Sequence, residues 1–351
     1  MSFDGCEWEV PDTPDNAAAF GRRTGGGPGR SAYPKLRLVT LTECGTYACV
    51  GAAIGPVEGS EGAERVLVRS LYPRLEDDQL LLADRGFYSF TDWCQAADTG
   101  AQLLWRVTVN LELPVLRTLP DGSYLSVVLD TSIKGTSRAR LIATARNRGP
   151  LDPRQARLVR VIEYEVANRK SDAEREVICL TITLLEHGAA PAAQLAAAYH
   201  QRWEHEEAFA QIKTYLRGPD RILRSRSPQM VRQEIYGYLL THYALTTLIS
   251  DAATAADIDP DRVSFTRTVR VVRREIAARP TTFPLTSNNA SSTGYGTTSP
   301  SRATSTRPAD TAGGGQDAFG AGDDGLQGGV HVGVRRRVDL PDIGAGLQVV
   351  P

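Results

Sequence analysis

The sequence predicts an α/β protein: a mixed sheet flanked by helices, with a β-rich insertion ahead of a late helix that carries a polar stripe. Three observations carry this prediction. Between residues 36 and 107, short apolar runs alternate with helix-patterned segments. From about 109 to 190 the texture changes to strand-like segments divided by turn residues. From 191 to 217 a helical stretch sets Tyr199, Arg202, Glu206 and Lys213 along one narrow face, because each residue of an α-helix turns by roughly 100°.

Each element has its own signal. Residues 36–42 and 47–54 read as two strands joined by a short Glu43-Cys44-Gly45 turn. Residues 61–71 show helical spacing through Val66, Leu67 and Leu71. The run 79–83 is a short apolar strand ending at Asp84, 88–97 reads as a helix, and 101–109 as another strand. With a first strand before residue 10, this order of elements is that of a ribonuclease-H-like core. In the insertion, 113–119, 123–130, 157–166 and 176–186 are strand-like, and Pro120-Asp121-Gly122 marks a turn. The striped helix ends near Gly218-Pro219. Ser227-Pro228, a cap followed by a first-turn proline, opens a long apolar helix through Ile235, Leu239, Leu240, Leu245 and Leu248. A last helix over 265–278 is basic through Arg267, Arg270, Arg273 and Arg274.

The expected organisation is therefore a first part of the core at 1–108, the β-rich insertion at 109–190, a helical second part at 191–283 and a tail at 284–351. The tail is Ser, Thr, Gly, Ala and Asp with almost no apolar periodicity. Such composition buries too little to offset the entropy of ordering, so disorder is expected. Out-of-frame translation would account equally for its change of texture.

Bulk properties exclude several classes. The chain has 351 residues, 41% of them hydrophobic, which is enough to fill a real core. No run of about 18 uncharged apolar residues is present, so no membrane partner is expected. The start Met-Ser-Phe-Asp lacks a basic-then-apolar leader, so no signal peptide is expected. Five scattered cysteines without a Cys-x-x-Cys pair suit a reducing compartment. A net charge of −1 means that any nucleic-acid contact must come from a local patch.

The stripe alone could be an ordinary solvated helix face. The apolar anchors Leu195, Phe209, Ile212 and Leu216 argue instead for a packed helix. A carboxylate flanked by two cations and a phenol suits a metal ion held beside a phosphate backbone. Two-metal phosphoryl transfer needs carboxylates converging from several elements. Glu206 is one candidate. Asp84 is a second, because it ends a buried strand at the carboxyl edge where open α/β sheets place their sites; read on its own it could equally cap the following helix. Arg202 and Lys213 would hold phosphates and Tyr199 would donate a hydrogen bond to one. Arg217, Arg221 and Arg224, with Arg226, make a backbone-binding patch that gives affinity with little selectivity. The loop Gly21-Arg-Arg-Thr-Gly-Gly-Gly-Pro-Gly29-Arg30 lacks the spacing of a phosphate-binding loop. His200 and His205, five apart, do not make a zinc pair. Trp105 and Arg106, at the end of a strand entering the insertion, could stack on an extruded base, but core packing is the expected role of so large an aromatic as Trp105.

The spacing Tyr199-x2-Arg202-x3-Glu206-x6-Lys213 resembles the signature of DDE transposases of insertion-sequence family four. Trp203 and Phe209 fit the longer family pattern, whereas His205 stands where a bulky apolar residue is usual. Asp84-Arg85-Gly86-Phe87 resembles the family's second-aspartate motif. Asp4-Gly5, continued by Trp8-Glu-Val-Pro11-Asp12-Thr13, resembles its first. The resemblance implies that Asp4, Asp84 and Glu206 hold two Mg²⁺ ions, with Mn²⁺ able to substitute. It further implies that a water cuts double-stranded DNA at the element end and that the freed 3′-hydroxyl attacks target DNA. A homodimer bound to paired ends, in the cytoplasm of a bacterium and associated with its nucleoid, is implied as well. Only three residues precede Asp4, so the first strand is expected to be cut short, and the family's helical N-terminal domain to be missing. The expectation is a truncated reading frame, with an inactive remnant that binds DNA non-specifically as the rival reading.

Overall fold

Residue parity along the strands decides which side of the sheet each group faces. In a computed structural model, which describes residues 1–22, 32–168, 171–219 and 221–278, the core opens with β1 (Ser2–Glu9), β2 (Lys35–Thr42) and β3 (Cys49–Pro56). β4 (Leu80–Ala83) and β5 (Gln102–Val107) complete it. Most of the glycine-rich loop and the whole tail from 284 lie outside the described residues. β6 (Arg117–Thr118), β7 (Tyr124–Leu129), β8 (Ala156–Asn168) and β9 (Ser171–Ile182) extend the same sheet.

The order across the nine strands is β3-β2-β1-β4-β5-β9-β8-β7-β6. β1, β2 and β3 form an antiparallel meander, β1 pairs β4 in parallel, and β4 pairs β5 in parallel. β9 then returns antiparallel to β5, which joins the insertion to the core sheet. The result is a large mixed sheet flanked by helices, the expected ribonuclease-H-like arrangement.

Two helical layers cover the sheet. One face presents Phe3, Val39, Leu41, Leu81, Leu103 and Trp105 to Val68 and Leu71 around α2 (Glu64–Val68) and to Phe90 and Trp93 of α3 (Phe90–Ala97). The other presents Trp8, Leu36 and Leu38 to Phe209, Ile212, Val231 and Ile235, while Leu82 and Leu104 meet Leu195 and Tyr199. The alternation of Leu38 with Val39, and of Leu81 with Leu82, is the two-residue period of a strand buried on both faces. Each such leucine contributes about 2 kcal/mol by leaving water.

Caps and turns fix the helix ends. Thr13 accepts the Asn16 N–H at 3.2 Å to start α1 (Pro14–Phe20), and Ser89 accepts the Asp92 N–H at 3.0 Å to start α3. The long helix, Pro228–Ala256, begins at Ser227-Pro228 as the sequence predicts, although the Ser227 side chain makes no cap bond. The last helix, Phe265–Ala278, also lies where its pattern places it. The described residues through Val272 form one unit, and 273–278 continue this last helix.

Three features differ from the sequence reading. β1 is not cut short: it runs eight residues, because the chain after Asp4 keeps alternating as far as buried Trp8 and pairs with β2 from Ser2 to Glu9. A helix not read from the pattern, α4 (Gly135–Arg146), lies within the insertion; only Ala145 on it is fully buried, so it carries little apolar period. The striped helix is not uniformly α-helical. α5 (Ala192–His200) passes through a 3₁₀ turn at Gln201–Trp203 into α6 (Glu204–Ala210), then into a π-helical turn at Gln211–Leu216. α7 (Pro228–Ala256) and α8 (Phe265–Ala278) follow. Among the described residues no helix is long and apolar enough to cross a membrane.

Candidate active site

Strand register brings the first two carboxylates together. Ser2 of β1 pairs with Leu82 of β4 in parallel, so two residues further along Asp4 and Asp84 stand level on adjacent chains. Neighbouring strands lie about 4.8 Å apart. Parity turns Asp4 to the same side as Ser2, which touches His205 of α6. α5 and α6 therefore lie over both aspartates.

The helical run supplies the third carboxylate and its cation. Arg202 spans two acids, with Nη1 3.8 Å from Asp4 Oδ2 and Nη2 3.8 Å from Glu206 Oε1. The Arg202 side chain is 11% exposed and its Nε has no hydrogen-bond partner. On the other side, the Tyr199 hydroxyl donates to Asp84 Oδ1 at 3.4 Å. Burial, and then the nearby Asp84 charge, push the Tyr199 phenol up, so it remains a donor. Burial raises Asp4 to about 6, against the pull of the Gly5 N–H at 2.8 Å and of Arg202, with Glu206 and Glu64 adding to the rise.

Two groups hold these elements in place. The Trp105 indole N–H donates to the Asp84 carbonyl at 3.1 Å and fixes the turn after β4; the ring is fully buried, so Trp105 is core rather than a base platform. His205 is fully buried between the sheet and α6. Its Nδ1 lies 2.7 Å from Ser2 Oγ and its Nε2 2.6 Å from Thr40 Oγ1, with Thr42 Oγ1 at 3.2 Å. Burial, with Arg202 nearby, lowers its pKa to about 3.

The remaining predicted residues lie further out. Lys213 Nζ donates to the Glu7 carbonyl at 3.2 Å, towards the far end of β1 from Asp4. Arg217 stacks over Trp8 with its guanidinium carbon 4.9 Å from the ring centre. Arg221 is exposed and lies against Gly218; Arg224 is exposed, with its backbone N–H bonded at 3.0 Å to Glu234. The structure thus brings Tyr199 to Asp84 and Arg202 to Asp4 and Glu206, holds Lys213 and Arg217 at the Glu7–Trp8 end of β1, and leaves Arg221 and Arg224 exposed.

Two neighbours of the site have roles the sequence did not give them: Arg106, read only as a group that could stack on a base, and His205. Arg106 places Nη1 3.9 Å from Asp84 Oδ1 and also pairs with Glu176. A cation in an otherwise apolar strand, Gln102–Val107, is the signal that points to it. His205 shares an inward face with Phe209 and Ile212, four and seven residues on, and a polar group on such a face requires partners.

Among the described residues, no three His, Cys, Asp or Glu side chains stand close enough to cage a metal ion as placed. The donor set nevertheless suits one. Carboxylate oxygens are the ligands of hard divalent cations, and the Arg202 guanidinium already bridges two of these carboxylates as a cation would. Asp4, desolvated and raised in pKa, would be stabilised as a carboxylate by a full positive charge nearby.

The transposase DDE domain family matches residues 1–243. Transposase InsG for insertion sequence element IS4, from Escherichia coli strain K12, is 28% identical over 282 residues, covering 78% of this chain and 58% of that protein. The InsZ protein of the same strain, which bears a transposase name, is 31% identical over 89 residues, 25% of this chain and 29% of that protein. The chain thus spans less than two thirds of either relative's length. Because the family model matches residues 1–243, more than half of the chain, the chain belongs to the DDE-domain transposases, in insertion-sequence family four.

Proposed function

We propose that this chain catalyses the DNA cleavage and strand transfer of transposition at Asp4, Asp84 and Glu206. One observation carries the proposal: carboxylates from β1, from the end of β4 and from α6 converge on one face, with Arg202 spanning from Asp4 to Glu206. Members of the family generally use a divalent metal ion. Two Mg²⁺ ions, with Mn²⁺ able to substitute, would activate the attacking water or 3′-hydroxyl and neutralise the leaving oxygen.

The chain's own groups position and charge the site. Asp4, Asp84 and Glu206 would hold the ions. Tyr199, kept protonated by burial, orients the Asp84 carboxylate through its hydrogen bond. Arg202 neutralises Asp4 and Glu206 in the free protein and is placed to turn to a phosphate when DNA and metal arrive. Lys213, Arg217, Arg221 and Arg224 continue as cations for the flanking backbone, which fixes register more than sequence. The partners proposed are double-stranded DNA, as element ends and as target, and a second copy of the chain bound to the paired end, in the bacterial cytoplasm.

The test is nicking of a duplex that carries the element ends, in Mg²⁺ or Mn²⁺. Wild type should nick and Glu206→Gln should lose at least about a hundredfold in rate, as removal of a group acting on transition-state charge does. Unaltered nicking by Glu206→Gln would refute the role given to that carboxylate.

A further inference from the structure

We infer that His205 is a positioning residue, a buried clamp that sets the rotation of α6 and so aims Glu206 at Asp4. This rests on the proposed function and adds to it a device specific to this chain.

Few directional bonds fix the angle of the helix that carries Glu206: besides those of His205, Glu204 at its start accepts the Gly45 N–H. α6 has seven residues, no side-chain cap at its start, a 3₁₀ turn before it and a π-helical turn after it. A residue moving from 3₁₀ to α geometry changes its turn from about 120° to about 100°. A swing of about 20°, at the roughly 6 Å radius of a Glu carboxylate, moves its oxygens by about 2 Å. Metal–ligand distances tolerate about 0.2 Å. Something must therefore hold α6 in rotation as well as in place, and apolar packing alone has no direction.

His205 supplies that direction. Its two ring nitrogens point to different strands, Nδ1 to Ser2 of β1 and Nε2 to Thr40 of β2, with Thr42 as a second β2 partner. Two short bonds on opposite sides of one planar ring, with Thr42 sharing Nε2 at 3.2 Å, fix both the distance and the twist of the first turn of α6. Ser2 lies two residues before Asp4 on the same face of β1, so clamp and ligand share one strand. Phe209, one turn on, packs against the ring at 4.9 Å between centres and keeps water out. Among the described residues the imidazole hydrogen-bonds to neither Asp4 nor Glu206, which makes its action positional.

The experiment replaces the polar clamp by apolar groups of similar size. The triple variant His205→Leu, Ser2→Ala, Thr40→Val removes the ring and its two nearest partners at once and leaves the Thr42 hydroxyl the Cys49 thiol at 3.4 Å, so its cost in stability is modest. Two readouts are taken on the full chain without DNA: the melting temperature without metal, and binding of Mn²⁺ alone followed by electron paramagnetic resonance. The expected result is a melting temperature near wild type with Mn²⁺ binding about tenfold weaker, the usual cost of losing a supporting group around ligands. Ser2→Ala, which removes only the partner of Nδ1, should show a smaller loss of the same kind and serves if the triple variant fails to fold. A variant that folds and binds Mn²⁺ as tightly as wild type overturns the clamp while leaving the proposed function standing. Absence of Mn²⁺ binding in wild type overturns both.

Discussion

Replacing Asp121 with alanine should cost this fold about 5 kcal/mol, although the residue is more than 80 positions from any carboxylate on α6. Asp121 lies in the turn before β7 and pairs with Arg160 of β8, whose side chain is 0% exposed. Arg160 Nε also donates to Ser123 Oγ at 2.7 Å and Nη1 to the Ala190 carbonyl at 2.6 Å. The same Asp121 Oδ2 accepts the Ala192 N–H at 2.9 Å, at the first residue of α5, where Pro191 offers no side-chain cap. One carboxylate thus neutralises a buried guanidinium and caps the helix that carries Tyr199. Stranding the charge costs about 3–5 kcal/mol, and losing the cap about 1 kcal/mol. That is a large share of the roughly 5–15 kcal/mol of a typical domain. Urea denaturation followed by circular dichroism measures it. Asp121→Ala combined with Arg160→Met should recover most of the loss, since no unpaired charge remains. A loss below about 1 kcal/mol in the single variant, or a double variant as unstable as the single, would refute the argument.

Two further outcomes follow from other parts of the molecule. His242 is fully buried, bonded through Nε2 to Gln211 Oε1 at 2.9 Å, and burial lowers its pKa to about 4. The unfolded chain therefore binds the extra proton first, so this contribution is complete above about pH 6.5 and is lost as pH falls towards 4. Wild type should lose about 2.5 kcal/mol more than His242→Gln between pH 7.5 and pH 4.5 in urea titrations, and equal losses would contradict the assignment. Arg221→Ala and Arg224→Ala, both at exposed positions, should each reduce the slope of log binding constant against log salt on duplex DNA by about 1, and unchanged slopes would remove that loop from the DNA path.

The legible parts of the fold are those where burial imposes a period. β2, β4 and β5 alternate Leu, Val and Trp between two cores, so their apolar runs announced them. The Phe265–Ala278 helix was equally plain, because Phe265 and Val269 bury one side and arginines fill the other. α4 was not legible, since Ser137-Arg-Ala-Arg-Leu-Ile-Ala-Thr-Ala-Arg146 buries almost nothing and so shows no stripe. β1 looked short because counting stopped at Asp4, whereas Trp8, five residues from Phe3, sits on the opposite face and demands that the strand continue. At the site, the fixed spacing from Tyr199 to Lys213 singled out the helical run that lies beside Asp4 and Asp84. It could not reveal the 3₁₀ and π turns that carry Lys213 off to Glu7, because no residue type signals them. His205 stood out in the sequence only as an unusual residue within the motif. Its purpose depends on Ser2 and Thr40, about 200 and 165 positions away, which no local pattern connects.

The central claim is that Asp4, Asp84 and Glu206 surround one metal site, and iron-mediated cleavage tests it most directly. Fe²⁺ loaded in place of Mg²⁺, with ascorbate and peroxide, releases hydroxyl radicals that cut the backbone beside the bound ion, and mass spectrometry locates the cuts. The account predicts cuts at the three separated segments around residues 4, 84 and 206, all suppressed by excess Mg²⁺ and absent in Glu206→Gln. Cuts confined to other segments, or unaffected by Mg²⁺, would contradict it.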